Sequence, residues 1–327
     1  MKTSSIILVA LIILGVSGCQ KHEMDQSSSK DLTQLFVKAE PNTLNLNHLK
    51  SVKLNSIITS INEAISEHGI MVEKIETYAA EQEGMTLFFK DVGNKQLQSC
   101  FVPNDLRNGT GSEVPYVIDG TEMGTSSGMS ETETINAIIS AMNTWDNNTC
   151  SYGLQIPFLG TTDFDLGYVQ FILGLGGFPG YLTGGVVHGG ILPRDLFDAI
   201  QTNGGDFILG VTFTFIWTDD GGEPTDIDNN GKNDVAFKEI YINDEFNWMD
   251  APDDVIGNDI YDFETVVLHE TGHALCQAHF GKAFAAADGT IHFAPYALMN
   301  SGYSIANREI TGTDLAGHCS IWSSWPW

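Results

Sequence analysis

Basic residues are scarce in this sequence. Its 327 residues include 15 Lys and Arg against 42 Asp and Glu, so the formal net charge at pH 7 is −27. Such an acidic chain repels the phosphate backbone of nucleic acids and is not attracted to anionic lipid headgroups. We therefore expect no nucleic-acid partner, whereas the same charge favours solubility and the binding of cations.

Apolar runs long enough to cross a bilayer are also missing. The run Ile6–Leu14 is too short, because a membrane-spanning helix needs about 20 apolar residues. Lys2 stands before this run and small residues follow it, which is typical of an export signal. The segment after it, Val16-Ser17-Gly18-Cys19, resembles the lipobox of bacterial lipoproteins.

The lipobox resemblance implies a signal peptide at 1–18 and a mature chain that begins at Cys19, which would carry the lipid. Plain secretion without a lipid is the alternative. The polar, Ser-rich segment that follows is expected to act as a tether over 19–35. We thus expect a protein of the bacterial cell envelope, anchored in a membrane through Cys19 on its periplasmic or surface side, or else secreted.

Cysteine is sparse, with five residues in the whole chain. No CxxC pair is present, so a cysteine-based zinc site is not favoured. Outside the cytoplasm, four cysteines can form two disulfides in three alternative pairings, and the sequence alone does not choose among them. The four that remain after Cys19 are Cys100, Cys150, Cys276 and Cys319.

The remaining chain is long enough for one large domain or two ordinary ones, and 42% of all residues are hydrophobic. A small α/β unit is predicted over 36–108, and the turn-rich stretch at 103–112 marks its end. Periodicity predicts a helix at Leu54–His68 and strands at Ile70–Tyr78, Met85–Phe89 and Leu97–Val102.

A second domain is predicted over 109–327. The strand pattern is strongest at Phe207–Trp217, which could lie at a cleft edge, where an extended peptide pairs with it, or in the sheet interior. Other strands are predicted at Val114–Ile118, Tyr168–Leu173 and Phe237–Ile242, and helices at Glu131–Asn147 and Asp262–Ala278.

The helix predicted at Asp262–Ala278 contains the run His269-Glu270-Thr271-Gly272-His273. Residues four apart share one helical face, so both imidazoles can bind a single metal ion. Zinc lowers the pKa of its bound water to about 7, and Glu270 is placed to accept a proton from that water. This is the HExxH arrangement, with Glu270 as general base for peptide hydrolysis. For the motif taken alone, the alternative is a buried helix whose histidines make ordinary hydrogen bonds.

The run continues to His279 and Gly281, and here the sequence resembles the metzincin metallopeptidases, especially the matrixin branch. Downstream, Tyr296–Met299 resembles the Met-turn of that family, and Ile310–Gly317 resembles its closing helix. The resemblance covers roughly Val114 to the C-terminus. It implies an α+β, zincin-like domain with a twisted mixed sheet and an active-site helix. It also implies that zinc binds His269, His273 and His279, with Met299 packed beneath the metal.

Two departures from the family pattern affect this interpretation. Cys276 replaces the family's glycine, which permits a left-handed backbone where the chain turns away from the helix. The segment from His279 to Met299 is longer than in compact matrixins, and it holds Asp288 and His292, either of which is an alternative third ligand. His188, in a Gly-rich stretch, is a further candidate for the site, with a structural role as the alternative.

A second cation site is predicted in an acidic segment. Its oxygen ligands are Asp226, Asp228, Asn230 and Asp234. Gly231 stands at the sharp turn of a calcium loop, but Phe237 stands where an EF-hand has its final Glu. Other carboxylates would then complete the site, such as Asp219, Asp220 or Glu223. Matrixins hold structural calcium in the corresponding region, whereas an acidic turn without a cation is the alternative.

We therefore expect a zinc-dependent endopeptidase that hydrolyses protein or peptide bonds outside the cytoplasm, with catalytic zinc and structural calcium. The alternative is a non-catalytic surface binding or adhesion protein whose metal site only braces the fold. The segment around Cys100 faintly resembles the cysteine switch of matrixin propeptides but lacks its Arg and Gly, so a disulfide is the favoured role. The unit at 36–108 is accordingly a propeptide or an accessory domain. The sequence indicates neither the cleavage preference nor the oligomeric state.

Overall fold

The computed structural model describes residues 32–46, 56–90, 98–121, 123–250, 259–287, 291–310 and 312–326. The predicted signal peptide at 1–18 and Cys19 lie outside the described residues. The last residues of the predicted tether are folded onto the protein: Leu32–Leu35 form a 3-10 turn, and Leu32 is buried. Among the residues that the structure describes, no helix is both long enough and apolar enough to cross a bilayer.

Helices and strands alternate along the described chain. The α-helices are α1 (Ser56–Ala64), α2 (Glu131–Asp146), α3 (Tyr168–Ile172), α4 (Arg194–Ile200), α5 (Phe263–Ala274) and α6 (Gly312–Trp322). The first strands are β1 (Val37–Lys38), β2 (Ile70–Ala80), β3 (Thr86–Phe88), β4 (Ser99–Cys100), β5 (Tyr116–Ile118), β6 (Phe158–Thr161), β7 (Gly180–Tyr181) and β8 (Val186–Leu192). They are followed by β9 (Ile208–Trp217), β10 (Asn233–Asn243), β11 (Asn247–Met249), β12 (Ile260–Asp262), β13 (Lys282–Ala285), β14 (Ile291–Ala294) and β15 (Gly302–Tyr303).

Nine strands form one mixed sheet. Its order is β15-β2-β9-β10-β8-β5-β6, with β3 also paired to β2 and β4 to β10. Strand β9 is antiparallel to both of its neighbours, whereas β10, β8, β5 and β6 run parallel to one another. The expected α+β class, with a mixed sheet, is therefore confirmed at this level.

The two faces of this sheet are covered by different helices. On one face α2 and α5 bury Ile138, Met142, Trp145 and Val266 against the sheet. On the other face α1 packs Ile57 and Ile61 over Val72 and Phe213. The helix that carries the HExxH run therefore lies on the α2 face, directly beneath β9 and β10.

Of the described strands in the unit predicted at 36–108, β1, β2 and β4 pair with strands of the rest of the chain. Strand β2 lies between β15 and β9 in the main sheet, and β4 pairs with β10. The turn-rich stretch that was expected to mark a boundary is tied to the body instead. Arg107 in that stretch pairs with Asp105 and with Asp234, and Asp234 is the second residue of β10. The predicted division at residue 108 thus separates elements that share one sheet.

Two local predictions are corrected by long-range contacts. The strand predicted at Tyr168–Leu173 is instead helix α3, because the Glu239 carboxylate accepts hydrogen bonds from the first backbone N–H groups, those of Tyr168 and Val169. The strand predicted at Phe207–Trp217 is β9, which has β2 on one side and β10 on the other. β9 is therefore an interior strand of the sheet, and the alternative that it lies at a cleft edge is wrong for this structure.

The four remaining cysteines form two disulfides. Cys100 pairs with Cys276 and Cys150 pairs with Cys319, with Cα atoms 5.4 and 5.5 Å apart. The first joins β4 to the end of the HExxH helix, and the second joins the turn after α2 to α6. Because the Cys100 thiol is in a disulfide, it cannot serve as a cysteine switch in this structure.

His188 lies in the sheet core on β8 rather than in a loop, and it is only 2% exposed. Its Nε2 lies 3.4 Å from the Met142 sulfur. Burial lowers the pKa of His188 to about 3, so its imidazole is neutral in the folded protein. Its surroundings support the structural alternative.

Replacement of His188 tests this assignment through acid stability. In the unfolded chain the imidazole has a pKa of about 6.5, so lowering the pH from there toward 3 protonates the unfolded state first and reduces stability. His188→Gln should therefore lose about 2 kcal/mol less than the parent between about pH 7 and pH 4.5. Urea denaturation at several pH values measures this, and parallel losses in the two proteins would contradict the assignment.

Candidate metal centre

Helix α5 begins at a buried cap. The Asp262 carboxylate accepts a hydrogen bond from the Thr265 backbone N–H at 3.0 Å, which satisfies one of the free donors of the first turn. Arg308 pairs with the same carboxylate and with Glu264. The helix covers Phe263–Ala274, four residues shorter at its C-terminus than the predicted Asp262–Ala278.

Two histidines of α5 each direct their Nδ1 atom toward a backbone carbonyl oxygen. His269 Nδ1 lies 2.7 Å from the Leu298 carbonyl oxygen, and His273 Nδ1 lies 2.8 Å from that of Gln277. A carbonyl oxygen can only accept, so both Nδ1 atoms carry the proton and both Nε2 lone pairs are free to bind a metal. His269 Nε2 is buried and has no hydrogen-bond partner among the described residues, which is costly unless an ion binds there.

His279 returns to these histidines through a tight reversal. The Gln277 N–H bonds to the Gly272 carbonyl and the Cys276 N–H to the His273 carbonyl, the pattern of a Schellman helix end. Cys276 takes the left-handed conformation, with φ of 70°. The replacement of glycine by Cys276 therefore leaves the turn intact at a cost of about 1–2 kcal/mol. Its disulfide to Cys100 holds the residue in place.

One nitrogen from each of the three histidines lies within 4.8 Å of the others. His273 Nε2 and His279 Nε2 are 3.1 Å apart. Two nitrogens bound to one tetrahedral zinc ion at about 2.0–2.1 Å would be separated by about 3.3 Å, so these residues fit zinc. The structure thus brings together His269, His273 and His279. His292 is exposed and stacks on Phe284 outside this group, and Asp288 lies outside the described residues.

Met299 packs against Gly272 of α5. Its sulfur fills the space where a Cβ on Gly272 would lie, so only glycine fits there. The Asp314 carboxylate on α6 accepts the backbone N–H groups of Leu298 and Met299 at 2.8 and 3.0 Å. The same turn supplies the Leu298 carbonyl that orients His269, so α6 positions this histidine through Asp314.

Glu270 lies beside the histidines and is fully buried. Thr212 on β9 donates a hydrogen bond to Glu270 Oε2 at 2.6 Å. Gly210 makes room for this carboxylate, because a Cβ there would lie 2.9 Å from Glu270 Cγ. Burial raises the pKa of Glu270 well above its ordinary range, although the Thr212 hydrogen bond opposes the shift.

Strand β2 places side chains on the centre that the sequence analysis did not identify. The Tyr78 ring stacks on the His269 ring, with centroids 3.8 Å apart and planes 10° apart. Glu76 Oε1 lies 3.4 Å from His273 Nδ1, and its Oε2 pairs with Lys74 at 2.9 Å. No motif marks these residues. The sequence does show charged residues within a strong strand pattern. Because charged side chains in a buried strand need partners, such residues indicate contacts with other parts of the chain.

A buried lysine supports the same histidine from β10. Lys238 Nζ donates to the His273 carbonyl oxygen and to Thr214 Oγ1, both at 2.9 Å. Its side chain is fully buried, and burial together with the nearby Lys74 charge lowers the pKa of Lys238 to about 7. The end of α5 is thereby tied to the middle of the sheet.

The acidic loop before β10 brings carboxylates together. Asp226, Asp228 and Asp234 each place an oxygen within 4.8 Å of the others. The Asn230 side-chain oxygen accepts the Lys232 N–H at 2.8 Å instead. Burial, together with the nearby carboxylates of Asp226 and Asp234, raises the pKa of Asp228. Of the additional candidates, Glu223 is paired with Lys90.

No protein-family model matches this chain, and a search of curated proteins finds no match either.

Replacement of Gly272 tests the packing beneath the histidines. Gly272→Ala should cost about 1–3 kcal/mol of stability, because the added Cβ overlaps the Met299 sulfur, and it should weaken zinc binding. Gly124→Ala is the matched control, since its Cβ would meet only ordinary contacts at 3.6 Å or more. Urea denaturation and competition with a zinc chelator measure both effects. Equal behaviour of the two variants would refute the packing role.

Replacement of Asp228 tests the acidic loop. Calcium added to chelator-treated protein should raise its melting temperature by roughly 5 °C, because a cation that binds only the folded state stabilises it. Asp228→Asn should lose most of this rise, whereas Asp163→Asn, at an exposed position outside the acidic loop, should keep it. Differential scanning calorimetry measures the shift. A rise produced equally by zinc, or retained in Asp228→Asn, would count against a calcium site.

Proposed function

We propose that this chain is a zinc-dependent endopeptidase of the metzincin type, with a matrixin-like catalytic region. The observation that carries the proposal is the convergence of three imidazole nitrogens beside the Glu270 carboxylate. The mixed sheet, the helix that bears the HExxH run and Met299 beneath Gly272 support it further. The reaction proposed is hydrolysis of protein or peptide bonds outside the cytoplasm.

Each residue of the centre has a distinct part in this proposal. His269, His273 and His279 would hold the ion, and their carbonyl partners fix the ring orientation. Zinc bound there supplies a Lewis acid that polarises the scissile carbonyl and acidifies water. Glu270 accepts the proton of the attacking water and delivers it to the leaving amine. Thr212 orients the Glu270 carboxylate through its hydroxyl.

The proposed setting follows from the N-terminal sequence. A lipid on Cys19 would hold the enzyme at a membrane of the cell envelope, and plain secretion is the alternative. Calcium is proposed in the loop of Asp226, Asp228 and Asp234, where it would neutralise converging carboxylates. The two disulfides agree with an oxidising compartment.

Replacement of Glu270 tests the catalytic assignment. Glu270→Gln should retain zinc but lose cleavage of casein by at least about 100-fold, because general base catalysis contributes about 10²–10⁴-fold. Glu309→Gln, at an exposed position, is the matched control. Zinc content by atomic absorption and release of peptides from casein are measured. Since Glu270 is fully buried, the assay uses the zinc-loaded chain both intact and cut at a protease site introduced between Gln82 and Glu83.

Cleavage that disappears only in Glu270→Gln supports the proposal. A protein that binds zinc stoichiometrically yet cleaves nothing in either form, across casein and a peptide library, would contradict it. That result would favour the non-catalytic binding or adhesion protein.

A further inference from the structure

We propose that β2 is a built-in blocking strand that occupies the substrate position of this centre and must leave before peptides can bind. The inference rests on the proposed endopeptidase function and concerns the regulation of the same site. It follows from three observations: the pairing of β2 with β9, the contacts of its side chains, and the exposure of the residues beneath it.

Strand β2 pairs with β9 as an extended peptide would. The two strands are antiparallel from Ile70 opposite Trp217 to Ala79 opposite Ile208. β9 also carries Thr212, whose hydroxyl contacts Glu270, so this strand runs directly past the proposed general base. A peptide that added to β9 by backbone hydrogen bonds would pass over the same residues. While β2 is paired, the hydrogen-bonding groups on that edge of β9 are taken.

The side chains of β2 lie where a substrate would contact the centre. Tyr78 is opposite Gly210, the glycine that makes room for Glu270, and its ring covers His269. Glu76, opposite Thr212, lies against His273. Alternate residues of a strand share one face, so Glu76 and Tyr78 together cover the face that holds the histidines.

Exposure agrees with a closed site. His269, Glu270 and His273 have no exposed surface. A cavity of about 610 Å³ approaches from the side of α6 and reaches His279, Glu76 and Met299. Entry from solvent thus stops at Glu76 and His279. A scissile peptide bond cannot reach Glu270 in this arrangement.

Polar side chains on β2 fit a strand that fills a groove. Glu73, Lys74 and Glu76 are 2%, 4% and 0% exposed, although charged residues are rarely buried in a permanent core. Asn233 on β10 donates a hydrogen bond to Glu73, Glu76 lies against His273 of the centre, and Lys74 pairs with Glu76 within β2. The polar lining that β2 covers includes Thr212 and Thr214 of β9.

The covalent structure permits β2 to be removed. The turn at 81–84 follows β2 directly, and Glu83 in it is exposed. The first disulfide starts at Cys100, after this turn, so a cut between Gln82 and Glu83 leaves β2 and α1 held only by non-covalent contacts. The chain from Glu83 onward stays linked to the end of α5 through Cys276.

The test uses the full mature chain with a site-specific protease sequence inserted between Gln82 and Glu83. The same insertion between Thr202 and Asn203, both exposed, is the matched control, because a cut there leaves β2 attached. Each protein is loaded with zinc, cut, and passed over a sizing column in mild denaturant to remove the released fragment. Binding of a peptidyl hydroxamate is measured by calorimetry, and kcat/KM is measured on an unstructured peptide.

We expect the Gln82/Glu83 cut to raise both hydroxamate affinity and kcat/KM by at least about 100-fold, the factor for an open state populated below about 1%. The intact chain and the chain cut between Thr202 and Asn203 should keep the low hydroxamate affinity and the low kcat/KM. A synthetic peptide with the sequence of Ile70–Ala80 should then inhibit the cut protein competitively. The same peptide with Tyr78→Ala should inhibit at least about fivefold more weakly, because it lacks the stacked ring.

Hydroxamate binding to the intact chain with the affinity of the cut chain would overturn the inference, whatever the cut protein does. A cut protein that binds hydroxamate tightly but hydrolyses no peptide would support the blocking strand while refuting the endopeptidase. Failure of the Ile70–Ala80 peptide to compete with the hydroxamate would overturn the substrate-like placement.

Discussion

The left-handed turn at Cys276 is the constraint on which the candidate metal centre depends. Two histidines on one helical face can be set by the helix alone, but a third ligand must come from chain that has left the helix. The reversal after α5 brings His279 Nε2 to 3.1 Å from His273 Nε2. It also places the Gln277 carbonyl where it orients His273. A side chain in this conformation is unfavourable, and the turn is held by cross-linking and by the helix-end hydrogen bonds.

The parts of the centre that the sequence predicted are those encoded locally or by a spaced motif. The positions of His269, Glu270 and His273 follow from helical periodicity, and His279 and Met299 follow from the family resemblance. The strand at Ile70–Tyr78 was also predicted, but its neighbours in the sheet were not. Strand pairing joins residues far apart in sequence, so the position of β2 beside β9 has no local signal. Helix α3 was missed for a related reason, since the carboxylate that caps it belongs to Glu239 on β10.

Burial accounts for much of the chemistry around the centre. Lys74, Glu76 and Lys238 lie in the sheet with little or no exposure, and each is paired or hydrogen-bonded with a neighbour. Such groups stabilise a structure only when their partners stay in place, because an unpaired buried charge is far more costly than an exposed one. The carbonyl of His273 is one of these partners, so the sheet and the end of α5 are mutually dependent.

The disulfide between Cys100 and Cys276 connects ligand geometry with the redox state of the surroundings. In a reducing compartment the two thiols would be separate, and the unfavourable backbone at Cys276 would lose its covalent restraint. A newly made chain would therefore hold the His279 imidazole less firmly until this disulfide had formed. With the export and activity proposed above, the three imidazoles would be fixed in place only after secretion, which would spare proteins of the producing cell's interior from a peptidase assembled too early.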